Sequence, residues 1–120
     1  MQPAAFDAVQ PIVGARDLVA SIRFYVDRLG FTLVFRDGGT PTNYVGLRRG
    51  RVELHMQFQH DHEMSTLRLR IRVDDPDVLH DEYRSRDVAI ASPLENKAWG
   101  TREFSIYDPD HNALMFYKVL

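Results

Sequence analysis

Apolar and polar residues alternate along much of the chain, and in two segments the apolar residues instead recur at helical spacing. Strict alternation is typical of a strand with one buried face. The clearest case is residues 51–58, where Val52, Leu54, Met56 and Phe58 alternate with Arg51, Glu53, His55 and Gln57. Similar patterns between turn-forming residues predict further strands at 7–14, 31–36, 43–48, 66–73, 88–91, 101–107 and 113–119.

Two of these segments carry more detailed predictions. Alternation over residues 31–36 places Phe31, Leu33 and Phe35 on one face. The strand at 88–91 is followed by residues 92–100, which are predicted to form a long loop that holds Trp99, the single tryptophan.

The two segments with helical spacing have recognisable starts and stops. In the first, Asp17 is a suitable N-cap, and Gly30 fits the position just after the helix. Its apolar stripe consists of Leu18, Ile22, Tyr25 and Leu29. The second starts at Asp74-Asp75-Pro76, where proline is favoured at the first helical position, and runs to about Arg86.

The element order is strand, helix, three strands, and then the same again. This order predicts an α+β fold, a single domain over residues 1–120 with two βαβββ modules at about 7–58 and 66–119. Each helix covers one face of its sheet and leaves the opposite face free. Two such sheets placed edge to edge form a curved mixed sheet with an open cleft.

Composition narrows the classes of function. The 120 residues suit one domain, and 15 basic against 17 acidic residues give a net charge of −2, which predicts no general attraction for nucleic acid. The absence of cysteine excludes disulfides and thiol catalysis. No apolar run is long enough to span a membrane, and the first residues lack a secretory pattern, so we expect a cytoplasmic protein.

Several motifs resemble those of one superfamily. The segments Val13–Leu18 and Phe24–Phe31 resemble the opening of the glyoxalase, bleomycin-resistance and extradiol-dioxygenase (vicinal oxygen chelate) superfamily, and Asp108–Asn112 resembles its closing turn. Gly30–Gly38 and Trp99–Phe104 are similar to the bleomycin-resistance proteins in particular. The resemblance implies paired βαβββ modules, a homodimer and two ligand clefts that involve both subunits. Fold alone does not imply function, because this superfamily hosts many chemistries.

The resemblance also indicates where a catalytic metal would be held. The corresponding positions are Gln10, Glu53, Arg68 and Met115. A guanidinium is not a ligand and a thioether suits hard metals poorly, so we expect no metal or other cofactor. Glu53 is instead expected to pair with an arginine, and His55 to hydrogen-bond nearby. The alternative is a metal-dependent lyase, isomerase or dioxygenase that uses Glu53 with His55 or Gln10.

The remaining candidates form a predicted small-molecule site on the open faces. The predicted ligand-binding residues are Trp99, Tyr44, Asp37, Glu53, His55, Arg68, Arg70, Glu103, Ser105, Tyr107 and Met115. In bleomycin-resistance proteins, aromatic residues at the positions of Trp99 and Tyr44 enclose a planar part of the drug. One alternative is that Trp99 fills a dimer interface. The arginines could likewise form a solvated sheet face, or a dimer interface with carboxylates opposite.

The resemblance therefore implies non-catalytic binding and sequestration of a planar, polar antibiotic of the bleomycin type. One feature conflicts with it: such drugs are cationic and their binding proteins present acidic grooves, whereas alternation predicts that Arg68 and Arg70 face this cleft. The carboxylates available to balance them are Glu53, Glu103, Asp37 and Glu95. A third possibility is a regulatory or structural dimer whose cleft binds nothing.

Overall fold

A computed structural model describes residues 2–120. The eight strands are β1 (Ile12–Ala15), β2 (Thr32–Arg36), β3 (Tyr44–Arg49), β4 (Val52–Phe58), β5 (Arg68–Arg72), β6 (Ser92–Asn96), β7 (Thr101–Tyr107) and β8 (Ala113–Val119). The helices are α1 (Leu18–Arg23), which continues as a π-helix over Phe24–Arg28, and α2 (Pro76–Ser85), with a short 3₁₀ turn at Asp61–Glu63. No helix within residues 2–120 combines the length and the apolar character needed to cross a membrane.

The strands form two four-stranded sheets of identical topology. Their strand orders are β1-β4-β3-β2 and β5-β8-β7-β6. In each sheet the first pair, β1 with β4 or β5 with β8, is parallel and the others are antiparallel. The sheets remain open, and each has one helix, so the predicted α+β fold of two βαβββ modules is confirmed.

The first helix begins and ends where its sequence signals predict. The Asp17 carboxylate accepts from the Ala20 amide at 3.0 Å, and Gly30 follows the helix with a φ of 78°. Tyr25 and Leu29 of the predicted stripe are completely buried. The π-helical second half was not predicted, since hydrophobic spacing does not distinguish it from an α-helix.

A buried polar junction joins the two modules through the closing turn at residues 108–112. The Tyr25 hydroxyl donates to Asp108 Oδ2 at 2.8 Å, and the Ser21 hydroxyl donates to Asp110 Oδ2 at 3.1 Å. The side-chain amide of Asn112 donates to Asp108 Oδ2 at 2.8 Å and to the Gly14 carbonyl at 3.3 Å. These bonds tie α1, its π-helical continuation and β1 to the second module.

Three predicted boundaries were wrong. The first strand starts at Ile12, so Gln10 lies outside it. Residues 88–91 are not a strand; the strand is β6, and Trp99 lies in the tight turn between β6 and β7 rather than in a long loop. Pro93 lies within β6. It is compatible with β6 because β6 is an edge strand, where a missing ladder donor costs little.

The predicted face of Phe35 was also wrong. The pairing of β2 with β3 shifts register between Leu33 and Phe35, so Leu33 lies opposite Leu47 whereas Phe35 lies opposite Gly46. Such a bulge moves a side chain to the other face of the sheet. Phe35 therefore lies on the open face and not beside Phe31.

Candidate functional site

Each sheet has an open face on the side away from its helix. The pairing register of the first sheet places Tyr44, Gly46, Arg48, Glu53, His55 and Gln57 on what we call the first face. The register of the second sheet places Arg68, Arg70, Arg72, Glu103, Ser105, Tyr107, Met115 and Tyr117 on the second face. The predicted site residues on strands are thus divided between the two faces, whereas Asp37 and Trp99 lie in the segments that connect strands.

A chain of hydrogen bonds crosses the first face. The Tyr44 hydroxyl lies 2.6 Å from His55 Nδ1, His55 Nε2 lies 2.9 Å from Glu53 Oε2, and the Arg48 guanidinium donates to Glu53 Oε1 at 2.7 Å. An ionised carboxylate can only accept, so the His55 ring donates from Nε2 to Glu53, and the tautomer with its proton on Nε2 accepts at Nδ1 from the Tyr44 hydroxyl. The bonds from His55 and then from Arg48 lower the pKa of Glu53. The expected pairing of Glu53 with an arginine, with His55 hydrogen-bonded nearby, is confirmed.

Aromatic rings cover part of this chain. Phe35 stacks on Tyr44 with ring centroids 6.1 Å apart and meets His55 edge to face at 5.0 Å. Gly46 lies beneath Phe35, and a Cβ at that position would overlap the ring. The first face therefore combines a flat aromatic surface with a tyrosine hydroxyl, a histidine and an ion pair.

The residues at the superfamily's metal positions do not fit a divalent metal. Both carboxylate oxygens of Glu53 are already bonded, and the Gln10 side-chain amide donates to the Glu53 carbonyl at 3.0 Å. On the other sheet, Arg68 Nη2 lies 3.7 Å from the Met115 sulfur and brings a fixed positive charge. Within residues 2–120 no three histidine or acidic side chains converge.

The second face contains a cavity of about 300 Å³. Its lining consists of Arg68, Arg70, Ser92, Lys97, Trp99, Glu103, Phe104, Ser105 and Met115. A larger depression of about 530 Å³ lies between the modules, lined by the β3–β4 turn and the start of α2, and it includes neither Trp99 nor Tyr44. The smaller cavity is the one that brings predicted site residues together.

An ion pair forms the floor of this cavity. Arg70 donates from both terminal nitrogens to Glu103 at 3.1 and 3.0 Å, and its guanidinium lies 4.3 Å from the centre of the Tyr117 ring. Glu103 is only 7% exposed and also accepts from Thr101. The bonds from Arg70 lower the pKa of Glu103, with smaller contributions from Thr101 and Trp99. Arg70 is therefore balanced by a carboxylate.

Trp99 stands at the rim of the cavity. Its side chain is 66% exposed, and Lys97 Nζ lies 5.8 Å from the centre of the ring. Lys97 also binds the Glu95 carboxylate at 2.6 Å. The indole thus presents surface to solvent and is not part of this chain's core.

Other predicted site residues lie apart from these clusters. Asp37 accepts from the Asn43 amide at 3.2 Å and so stabilises the loop between β2 and β3. Tyr107 is 47% exposed and contacts His111 edge to face. Tyr44 and Trp99 lie on different sheets, so within one chain they do not face each other.

Sequence reasoning missed three residues of the open faces. Phe35 was placed on the wrong face, because a bulge leaves no trace in simple alternation. Arg48 was missed although it shares the face of Glu53, its partner across the strand pair. Lys97 was missed because residues 92–100 were predicted to be a loop. The sequence did contain a signal for it, since Lys97 is two residues before Trp99, close enough to contact the indole.

Comparison with known proteins agrees with this architecture. Residues 7–116 match the model of the Glyoxalase/Bleomycin resistance protein/Dioxygenase superfamily. The chain belongs to this superfamily. A bleomycin resistance protein from Geobacillus stearothermophilus is 26% identical to it, over 92% of this chain and 95% of that one.

Solved structures of superfamily members are similar over nearly the whole chain. The bleomycin-binding protein of bleomycin-producing Streptomyces verticillus, complexed with copper(II)-bleomycin, superposes with a TM-score of 0.76 at 31% identity, covering 95% of this chain and 97% of that one. The bleomycin resistance determinant encoded on transposon Tn5 gives a TM-score of 0.78 at 27% identity, covering 95% and 98%.

Proposed function

We propose that this protein binds and sequesters a planar, polar antibiotic of the bleomycin type without chemically changing it. The observation that supports this most is the position of Trp99, an exposed indole at the rim of a cavity whose floor is already hydrogen-bonded. Stacking on an aromatic side chain favours a flat ligand. The relatives named as bleomycin-binding and bleomycin resistance proteins support the same ligand class.

Binding without catalysis agrees with the chemistry of the open faces. The strongest acid–base candidate, the chain of Tyr44, His55 and Glu53, is anchored by Arg48. The residues at the metal positions do not fit a divalent ion, as described above. The alternative, a metal-dependent lyase, isomerase or dioxygenase that uses Glu53 with His55 or Gln10, would require a metal to displace the bonds that the Glu53 carboxylate accepts. We place this sequestration in the cytoplasm.

We further propose that the working unit is a homodimer with two shared clefts. Tyr44 and Trp99 lie on different sheets of one chain, and both open faces are uncovered. A two-fold partner could place the first face of one subunit opposite the second face of the other. Sedimentation at micromolar concentration should then give twice the chain mass of 13.9 kDa, whereas a monomer would contradict the shared cleft.

Thermal unfolding in the presence of candidate ligands tests the proposed binding. A ligand that binds the folded state raises Tm, and a hundredfold excess over Kd stabilises by roughly 2.7 kcal/mol. We expect bleomycin to raise the Tm of the wild type by more than that of Trp99→Ala. An unchanged Tm with bleomycin and with other planar polar antibiotics would contradict the proposal.

A further inference from the structure

The cavity of the second face has an excess of positive charge. Three cationic side chains line it, namely Arg68, Arg70 and Lys97, against the single carboxylate of Glu103. Glu103 is bonded to Arg70 through both oxygens. Lys97 is paired with Glu95, which lies outside the lining. After these pairs are formed, one guanidinium remains.

That guanidinium belongs to Arg68. Its contact with a side chain is the one from Nη2 to the Met115 sulfur at 3.7 Å, and a thioether is a weak acceptor. Among residues 2–120 no carboxylate forms an ion pair with it. An arginine has five N–H donors, so most of those of Arg68 remain available. Arg68 lies opposite Ala113 in the pairing of β5 with β8, and its side chain lines the cavity that Trp99 borders.

A flat aromatic surface and an unpaired guanidinium in one cavity select for a particular ligand. The indole favours a planar ring system, and a guanidinium favours a carboxylate or another oxyanion, which it can bind through two parallel hydrogen bonds. A cationic group at the same place would instead be repelled by Arg68.

We propose that the ligand of this cavity carries an anionic oxygen group on or next to its planar ring system, and that Arg68 binds this group while Trp99 stacks on the ring. This inference rests on the proposed binding of a planar antibiotic, and it differs from the bleomycin type in one respect: the group that faces Arg68 is anionic, whereas bleomycin-type drugs are cationic. It separates this protein from a simple receptor for cationic drugs, because the unpaired charge on the second face is positive.

Three matched probes test the proposal. They are quinoline-2-carboxylate, its neutral carboxamide and the cationic 2-(aminomethyl)quinoline, each titrated against the full chain by calorimetry and by Trp99 fluorescence. The carboxylate should bind at least about tenfold tighter than the carboxamide, as expected for a charge-assisted hydrogen bond, and the amine should bind weakest. The preference should shrink as salt concentration rises.

Variants of Arg68 show whether this residue causes the preference. Arg68→Gln should reduce the carboxylate preference to less than about twofold, and Arg68→Lys should retain part of it because a charge remains. Arg84→Gln is the control, since it removes the same charge from an exposed site on α2 and should leave the preference unchanged.

The outcomes separate this proposal from the function on which it rests. Equal binding of the three probes, tightest binding of the amine, no binding of the carboxylate at about 1 mM, or a preference that survives Arg68→Gln would each overturn the assignment to Arg68. If bleomycin still quenches Trp99 in the same experiment, the proposed binding function stands. If the carboxylate binds through Arg68 and bleomycin does not bind, the ligand class is anionic and the bleomycin-type function fails.

Discussion

Arg70 on β5 and Glu103 on β7 form a two-point ion pair across the intervening strand β8, with N–O distances of 3.1 and 3.0 Å. The arginine reaches the carboxylate by lying over the ring of Tyr117, which belongs to β8. The pair connects β5 with β7, the two neighbours of β8, and forms the floor of the candidate cavity. It also neutralises the charge of one of the two arginines, Arg68 and Arg70, whose positive charge conflicts with binding of a cationic drug.

Replacing Glu103 by glutamine should destabilise the protein. Arg70 would lose its carboxylate, and the loss of a hydrogen bond to a charged group costs about 1.5–3 kcal/mol. Urea unfolding at neutral pH measures the change. Glu95→Gln is the matched control, because that carboxylate is half-exposed and pairs with a lysine at the surface, where such pairs contribute about 0–1 kcal/mol. Equal losses in both variants would contradict the special role of Glu103.

The same pair predicts a pH dependence. The folded-state pKa of Glu103 lies below the ordinary value of 4.5, so its pairing stabilises the protein fully above pH 4.5 and this contribution is lost as the pH falls through the folded pKa. Unfolding free energies of wild type and Glu103→Gln should therefore converge as the pH is lowered below 4.5. A constant difference down to the acid limit would show that the carboxylate charge is not the cause.

Trp99→Ala should separate ligand binding from stability. The side chain is 66% exposed, so its loss should change the free energy of unfolding by less than about 1 kcal/mol. Binding of a planar ligand should weaken by roughly 1–3 kcal/mol through lost stacking and burial. A stability loss above about 3 kcal/mol would instead indicate that the ring fills an interface between subunits.

Gly46→Ala should disturb the first face. A Cβ at this position would overlap the Phe35 ring, which packs against His55. Overpacking of this kind typically costs about 1–3 kcal/mol. The cost should be much smaller in a Phe35→Leu background, and a double-mutant cycle on unfolding free energies measures the coupling. If the two substitutions are additive, the bulge does not place Phe35 over Gly46.

The buried junction between the modules is tested by Tyr25→Phe. Its hydroxyl donates to Asp108 at 2.8 Å, and removing the donor should cost about 1–2 kcal/mol because the carboxylate stays buried. Tyr107→Phe is the control, since Tyr107 is 47% exposed and should change stability by less than about 0.5 kcal/mol. Indistinguishable thermal unfolding of the two variants would exclude a stabilising role for the junction.

The regular elements could be predicted from sequence because their signals are local. The Asp17 cap, the stripe ending at Leu29 and the alternation over β4 each lie within one segment. β6 was missed because it contains Pro93, which a strand accepts only at the edge of a sheet. Which strand lies at the edge depends on strand order, and strand order is not a local property of the sequence. The face of Phe35 was wrong for a similar reason, since a bulge appears only when two strands are paired.

The sequence predicted on which sheet face most candidate site residues lie, but it did not predict which side chains they contact. Alternation placed Glu53, His55 and Glu103 on open faces, and the structure keeps them there. The partners depend on register: Arg48 is paired with Glu53 across one hairpin, and Arg70 reaches Glu103 across two strand pairs. Sequence spacing contains neither relationship.

Titration of the full chain with bleomycin, followed by calorimetry and Trp99 fluorescence, tests the central claim most directly. Trp99 is the single tryptophan, so its emission reports on the rim of the candidate cavity alone. The account predicts saturable binding that quenches or shifts the emission, is weakened in Trp99→Ala, and releases the drug with unchanged mass after denaturation. Unaltered emission and no heat at about 1 mM drug, or recovery of a chemically modified drug, would contradict it.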